Sequence, residues 1–145
     1  MSIKFTILGR PVLQKNNLFI RRSKSGKSFI GHSKKFSDAR DQIMKDAYQQ
    51  FLDQEFSDPI DYLCEVHFTF YCPKQWEGDL DNYPAAYLDS LQGSKKKDGT
   101  KEYQVLVNDK LVRRMVAEKI ILGDSRYHGE PRAEIEIREY DISDT

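Results

Sequence analysis

The chain has 145 residues, of which 39% are hydrophobic and 32% are charged, and its formal net charge is zero. This length suits one domain with a hydrophobic core, and this composition excludes a disordered chain. Because no apolar run approaches the roughly 20 residues that cross a bilayer, and because the N-terminus lacks the apolar stretch of a secretory signal, we expect a cytoplasmic protein without a membrane span.

The N-terminal third predicts three strands and a helix. Residues 3–8 alternate between apolar and polar and end at a Gly-Arg-Pro turn. Residues 18–22 and 28–32 flank Lys24-Ser25-Gly26, so that residues 15–32 predict a basic hairpin. Apolar residues at helical spacing over residues 37–54 predict a helix with Ser37 or Asp38 as its N-cap.

The remainder of the chain predicts a central strand, a second helix and further strands. The clearest alternation covers residues 62–72, which we expect at the centre of a sheet. A helix is predicted at about residues 82–92, with Pro84 in its first turn and Gly93 at its end. Residues 94–102 predict a flexible charged loop, and strands are predicted at residues 103–107, 111–122 and 132–138.

This order of elements predicts an α+β fold, in which two main helices pack on one face of a mixed sheet within a single compact domain of residues 1–145. Cys64 and Cys72 both fall in the predicted central strand. Eight residues of strand span about 26 Å, whereas disulfide-linked Cα atoms lie about 5–6 Å apart. We therefore expect free thiols.

The basic residues are unevenly distributed. Residues 1–37 contain nine Lys or Arg and no acidic residue, whereas the remaining residues carry 14 basic and 23 acidic ones. A polyanion responds to the local field of a protein rather than to its net charge. The pattern fits a nucleic-acid-binding surface, and it fits a solvated basic face equally well.

Two aspartates stand at the junction between an extended segment and the second predicted helix. Asp79 and Asp81 flank Leu80, and alternate residues of an extended segment point to the same face. Two carboxylates held this close repel each other unless a proton or a cation lies between them. Mg²⁺ commonly takes one or two carboxylates and completes its shell with water and phosphate. The alternative interpretation is that Asp81 caps the helix and Asp79 is solvated.

A third carboxylate would complete such a metal site. Asp109 is the leading candidate, because the helix and the loop after Asp81 leave room for the chain to return, although Asn108-Asp109 is also a common turn pair. Asp89 is its rival. Since the eight residues from Asp81 to Asp89 rise about 12 Å in a helix, the two cannot bind one ion, and we interpret Asp89 as a structural residue.

At these residues the sequence resembles the RusA-type Holliday junction resolvases, which are small phage-derived endonucleases. The family pattern is Asp-Leu-Asp-Asn, two variable residues, Lys, Ala and then Leu-Asp-x-Leu-x-Gly, and it is matched at Asp79, Leu80, Asp81, Asn82, Ala86, Leu88, Asp89, Leu91 and Gly93. Asn108-Asp109-Lys110-Leu111-Val112 fits the family's aspartate before a strand, and Gly9-Arg10-Pro11-Val12 and residues 131–137 are also similar. The resemblance covers most of the chain, and its specific part is residues 79–93.

The resemblance implies an intertwined homodimer that resolves four-way DNA junctions by paired symmetric nicks. It implies that Asp79, Asp81 and Asp109 are the catalytic residues and hold Mg²⁺ or Mn²⁺. It also implies DNA repair and recombination as the setting. Given the resemblance, the basic residues expected to contact phosphates are Arg10, Lys15, Arg21, Arg22, Lys24 and Lys27.

Two departures from the family pattern affect this expectation. Ala85 stands where the family has a lysine, one helical turn beyond the second aspartate. The segment before Asp109 is longer than in the family and carries several lysines. Lys110 or the lysines at positions 95–97 are candidates for the missing cation, and the alternative is that the added segment is only a solvated loop.

Three functions therefore remain open at this point. The first is a metal-dependent junction-resolving endonuclease. The second, suggested by Ala85, is a branched-DNA-binding protein with weak or lost cleavage. The third is a small carbohydrate- or nucleotide-handling enzyme that uses Asp-x-Asp to bind a metal, although the chain lacks a glycine-rich nucleotide loop.

Overall fold

The computed structural model describes residues 2–13, 18–22, 28–32, 34–73, 78–123 and 129–144, with only the backbone described at 18–22, 28–32 and 144. The elements in chain order are β1 (Ser2–Leu8), β2 (Leu18–Arg22), β3 (Ser28–His32), α1 (Lys34–Asp53), β4 (Cys64–Cys72), α2 (Pro84–Leu91), β5 (Ser94–Lys95), β6 (Lys101–Glu102), β7 (Val112–Ile121) and β8 (Arg132–Glu139). Short 3₁₀ turns lie at Leu80–Asn82, Asp109–Leu111 and Ile142–Asp144.

The main sheet has the strand order β1-β8-β4-β7. β4 is central as predicted, and it pairs in parallel with β7 and antiparallel with β8, so the sheet is mixed. Every second residue of β4, from Cys64 to Cys72, is buried. This alternation gives the sheet one apolar face, which is covered by α1 and α2. The α+β fold with two main helices is confirmed.

α1 is held to the sheet by its apolar face and by two glutamines. Phe36, Ile43 and Phe51 are buried at helical spacing. The Gln50 side chain both accepts from the Thr6 N–H and donates to the Thr6 carbonyl, each at 2.8 Å. Gln54 makes the same pair of bonds with Lys4, at 3.1 and 2.7 Å. The two side chains therefore satisfy backbone groups at the outer edge of β1.

Three predictions about the elements are wrong. α1 begins at Lys34, so Ser37 and Asp38 lie inside the helix and neither caps it. The charged segment at residues 94–102 is a two-stranded hairpin, β5–β6, rather than a loop. Residues 103–107 are not a strand.

The local backbone explains why residues 103–107 do not form a strand. Tyr103 has φ 56°, which interrupts an extended chain. The N–H groups of Val105 and Leu106 both donate to the carbonyl of Leu91, each at 2.9 Å. These bonds satisfy a carbonyl at the end of α2. The β-type pairing of the segment is limited to one isolated parallel bridge between Leu106 and Ile60.

Other predictions are confirmed or concern residues outside the described part of the chain. Cys64 and Cys72 are both buried and form no disulfide, as predicted, and burial raises the pKa of the Cys64 thiol. β2 and β3 pair as the predicted hairpin. Lys15, Lys24 and Lys27, and the side chains of Arg21 and Arg22, lie outside the described part. Among the described residues, no helix has the length and apolar character needed to span a membrane.

Candidate functional site

The acidic pair lies where the chain returns from β4 toward α2. Asp79 is extended, with φ −80° and ψ 145°, and it directly precedes the 3₁₀ turn that contains Asp81. Both residues are exposed. The alternation of an extended segment therefore applies to Asp79 but not to Asp81, and the prediction that both project from one face of a strand is wrong.

The backbone around the acidic pair is fixed from both sides. Lys119 Nζ donates to the Gly78 carbonyl at 2.9 Å. A Cβ atom on Gly78 would lie 2.6 Å from Leu13 Cδ2, so only glycine fits there without a shift of Leu13. After the pair, Tyr83 is fully buried, and its hydroxyl accepts from Cys72 Sγ at 3.6 Å. The exposed carboxylates are thus preceded by the half-buried Gly78 and followed by the core residue Tyr83.

Helix capping does not account for Asp81. The N-cap of α2 is Tyr83, which makes no side-chain capping bond, and Pro84 occupies the first turn. Asp79 precedes the 3₁₀ turn, also without a side-chain capping bond. The capping alternative raised by the sequence is therefore not what the structure shows.

Asp109 stands in the 3₁₀ turn that leads into β7. This turn is capped by Asn108, whose Oδ1 accepts from the Lys110 N–H at 2.8 Å. Asp109 and Lys110 are both exposed. The sequence identified the turn correctly, and the asparagine satisfies it, which leaves the Asp109 carboxylate at the surface.

Asp79 and Asp109 lie at opposite ends of β7. Gly78, next to Asp79, contacts Lys119 near the end of β7, whereas Asp109 precedes its first residue, Val112. The strand from Val112 to Lys119 spans about 23 Å. The expectation that the chain returns Asp109 to Asp81 is therefore wrong within one chain. Consistently, the described residues contain no group of three or more His, Cys, Asp or Glu that could hold a metal ion.

Asp89 makes a contact between the helices. Its Oδ2 lies 2.6 Å from Arg40 Nη1, which joins α2 to α1. The two side chains are 46% and 40% exposed, so solvent screens the pair. This contact supports a structural interpretation of Asp89 and separates it from the acidic pair.

Sequence reasoning missed one lysine among the described residues. Lys119 contacts the acidic segment through the carbonyl of Gly78. Ala85, at the family's lysine position, is exposed on α2. Lys110 is beside Asp109, and Lys95 lies in the hairpin that follows the other end of α2. One signal in the sequence could have identified Lys119. It is a charged residue that alternates with the apolar residues Ala117 and Ile121, and these two pair with buried residues of β4.

Residues 9–138 match a family model described as endodeoxyribonuclease RusA. The match covers most of the chain, and it includes the acidic pair, Asp109, Lys119 and Arg10. No curated protein matches the chain.

Proposed function

The chain belongs to the RusA endodeoxyribonuclease family, and on this premise we propose that it resolves four-way DNA junctions by paired nicks with a divalent cation held by its aspartates. The observation that carries the proposal is the pair of exposed carboxylates, Asp79 and Asp81, on a segment held by the bond from Lys119 to Gly78 and by the buried Tyr83. Oxygen ligands of this kind suit Mg²⁺ or Mn²⁺.

The donor type fits a hard cation, but one chain supplies only the pair. Carboxylates commonly contribute one or two ligands to Mg²⁺, and water and substrate phosphate supply the others. A bound cation would activate water for attack on the phosphodiester and offset charge on the leaving oxygen. The third carboxylate, Asp109, must come from elsewhere, since it lies at the far end of β7.

A second copy of the chain is our proposed source of Asp109. In the part of the chain that the structure describes, β7 pairs with β4 on one side, and its other edge carries no strand. Met115 and Val116 of this edge strand are 51% and 45% exposed, so the strand offers apolar side chains as well as an unpaired backbone edge. Antiparallel pairing of two β7 edges about a two-fold axis would bring the start of each strand to the end of the other.

Such a dimer would contain two composite sites. Asp79 and Asp81 of one protomer would face Asp109 and Lys110 of the other, so Lys110 would arrive as a cation at the position that Ala85 leaves uncharged. Lys119 would hold the acidic segment from within its own protomer. Two sites related by a two-fold axis match paired nicks in two strands of a junction.

Cleavage of a labelled four-way junction tests the proposal. The wild-type chain is expected to make symmetric nicks with Mg²⁺ or Mn²⁺ and none with EDTA. Asp81→Asn is expected to bind the junction without cutting it. Asp89→Asn, which removes a carboxylate from the same helical region, is the matched variant that is expected to keep cutting.

Two outcomes would contradict the nuclease. Tight junction binding without nicks in either metal would favour the branched-DNA-binding alternative suggested by Ala85. Absence of both binding and nicks would remove branched DNA as the substrate and revive a small-molecule enzyme.

A further inference from the structure

A cavity of about 370 Å³ lies between the segment that follows β1 and the first turns of α1. Its lining is apolar over most of its extent, with Pro11, Val12, Leu13, Phe36 and Ala39, and its charged members are Arg10 and Lys35. No acidic side chain lines it among the described residues.

The cavity adjoins the acidic segment. Leu13 lines the cavity, and the same side chain packs against Gly78, which directly precedes Asp79. A strand of DNA whose phosphate lies at Asp79 therefore has this cavity beside it.

The walls of the cavity are fixed by the core. Phe36 is 2% exposed and belongs to the core cluster. The N–H of Val12 donates to the Tyr87 hydroxyl at 3.1 Å, and Tyr87 is buried on α2. A cavity whose walls are anchored in this way is preformed, which lowers the entropy cost of binding.

The size, surface and charge of the cavity select its occupant. The flat faces of a nucleobase are apolar and pack on aliphatic and aromatic side chains. The cations Arg10 and Lys35 complement a phosphate. In the open form of a four-way junction, nucleotides at the branch point lack a stacked neighbour on one side, so unstacking them costs less than in a duplex.

We propose that this cavity receives one unstacked nucleotide of the branched DNA, with its base against Val12, Leu13 and Phe36 and its phosphate toward Arg10 and Lys35. The proposal rests on the proposed function and extends it, because it gives the enzyme a subsite beside the phosphate that is cut. A base in this subsite would fix the strand relative to Asp79, and the fit of the base would bias where the strand is cut.

Junctions with one abasic nucleotide test the subsite in the absence of metal. The abasic residue is placed in turn at each nucleotide beside the branch point, and binding to the full-length chain is measured in EDTA. One position is expected to lower the affinity of the wild-type chain roughly tenfold, because one base-stacking contact is lost. Other positions should have little effect.

Two substitutions on α1 form the matched pair. Ala39→Leu adds side-chain volume inside the cavity, and Gln42→Leu adds the same side chain at an exposed position of α1 outside the cavity. Ala39→Leu is expected to bind the intact junction roughly tenfold more weakly than the wild-type chain does. Its affinity should not fall further when the abasic nucleotide is at the sensitive position. Gln42→Leu should behave as the wild-type chain does.

A second variant guards against a folding defect in Ala39→Leu. Lys35 is exposed at the cavity, so Lys35→Gln should leave the fold intact, weaken binding of the intact junction and lower the salt dependence by about one released counterion. Circular dichroism melts of all variants identify any that unfold.

Each result either supports the subsite or removes it. Equal affinity for all abasic junctions would overturn the subsite even if the chain cuts junctions. The same holds if the abasic nucleotide lowers the affinity of Ala39→Leu and of Gln42→Leu by the same factor. A loss confined to one position without any cleavage would keep the subsite and overturn the nuclease. Absence of junction binding would overturn both.

Discussion

Asp79 and Asp109 are separated by the length of β7, so the proposed nuclease site would draw them from two protomers. Mixing of two inactive variants tests this relationship. In a dimer of Asp81→Asn with Asp109→Asn, one composite site carries both substitutions and the other carries neither. Random mixing makes about half of the dimers mixed, so nicking should return to about a quarter of the wild-type rate, as single nicks rather than paired ones.

A site built within one chain gives the opposite result. Each protomer of the mixed dimer would then carry one damaged site, and no activity would return. Strand-specific labelling of the junction distinguishes single from paired nicks, and mixed dimers purified with two different affinity tags remove the uncertainty of random exchange.

Lys119→Met tests whether the bond from β7 to Gly78 positions the acidic pair. Methionine keeps most of the apolar stem of lysine but leaves the Gly78 carbonyl without this donor, at a cost of about 1 kcal/mol in the free energy of unfolding. We expect kcat for junction cleavage to fall roughly tenfold, with little change in junction affinity, because displacement of a catalytic group affects the reaction more than the binding.

Two further variants show whether the effect is specific to the Lys119 bond. Lys119→Arg, which retains a charged donor, is expected to restore part of kcat. Lys101→Met, on exposed β6, removes a lysine far from the acidic segment and should leave kcat unchanged. Equal losses of kcat in Lys101→Met and Lys119→Met would contradict a positioning role.

Asp89→Asn tests the structural interpretation of Asp89, the third aspartate of the family pattern. Asparagine can still accept a hydrogen bond from Arg40, but the ion pair is lost. Because both side chains are more than a third exposed, the free energy of unfolding should fall by less than about 1 kcal/mol. Metal-dependent cleavage should be retained, and a loss as large as that in Asp81→Asn would place Asp89 in the site.

Local patterns of the sequence were sufficient to predict most of the fold. The alternation in β4 identified the central strand, because its buried residues recur at every second position. The pattern failed at residues 103–107, where the positive φ of Tyr103 and the bonds of Val105 to Leu91 override β-propensity. No local pattern encodes those long-range bonds.

The sequence proposes a set of site residues but not their arrangement. The resemblance selected Asp79, Asp81 and Asp109, yet a motif gives no distances, and the direction of α2 determines that Asp109 lies away from the pair. Lys119 was missed because its partner is a backbone carbonyl, Gly78, in a distant segment. Contacts of this kind depend on the parallel pairing of β4 and β7, which sequence periodicity does not specify.

Arg10→Gln tests the basic face of the described N-terminal segment. If Arg10 contacts one phosphate, junction binding should weaken and the slope of log affinity against log salt should become shallower by about one unit. Lys101→Gln, with the same loss of charge on exposed β6, is the control and should leave the slope unchanged. An unaltered slope in Arg10→Gln would remove this residue from the DNA contacts.

The raised pKa of the buried Tyr87 predicts how the free energy of unfolding changes at alkaline pH. Burial raises the pKa of Tyr87 to about 12, whereas an unfolded tyrosine ionises near pH 10. Below about pH 10 both states keep the proton, so pH has no effect through this group. Between the two values the unfolded chain releases the proton first, so the free energy of unfolding falls as pH rises, by roughly 2–3 kcal/mol in total.

Tyr87→Phe isolates this contribution, because phenylalanine cannot ionise while the other tyrosines still do. The variant should lose about 1 kcal/mol at pH 8, since the Val12 N–H loses its acceptor. Its free energy of unfolding should then fall less steeply than that of the wild-type chain between pH 10 and pH 12. Urea unfolding followed by circular dichroism measures both curves. Parallel curves would mean that the Tyr87 phenol ionises equally in both states, and the walls of the cavity beside Asp79 would then be less tightly closed than its contacts indicate.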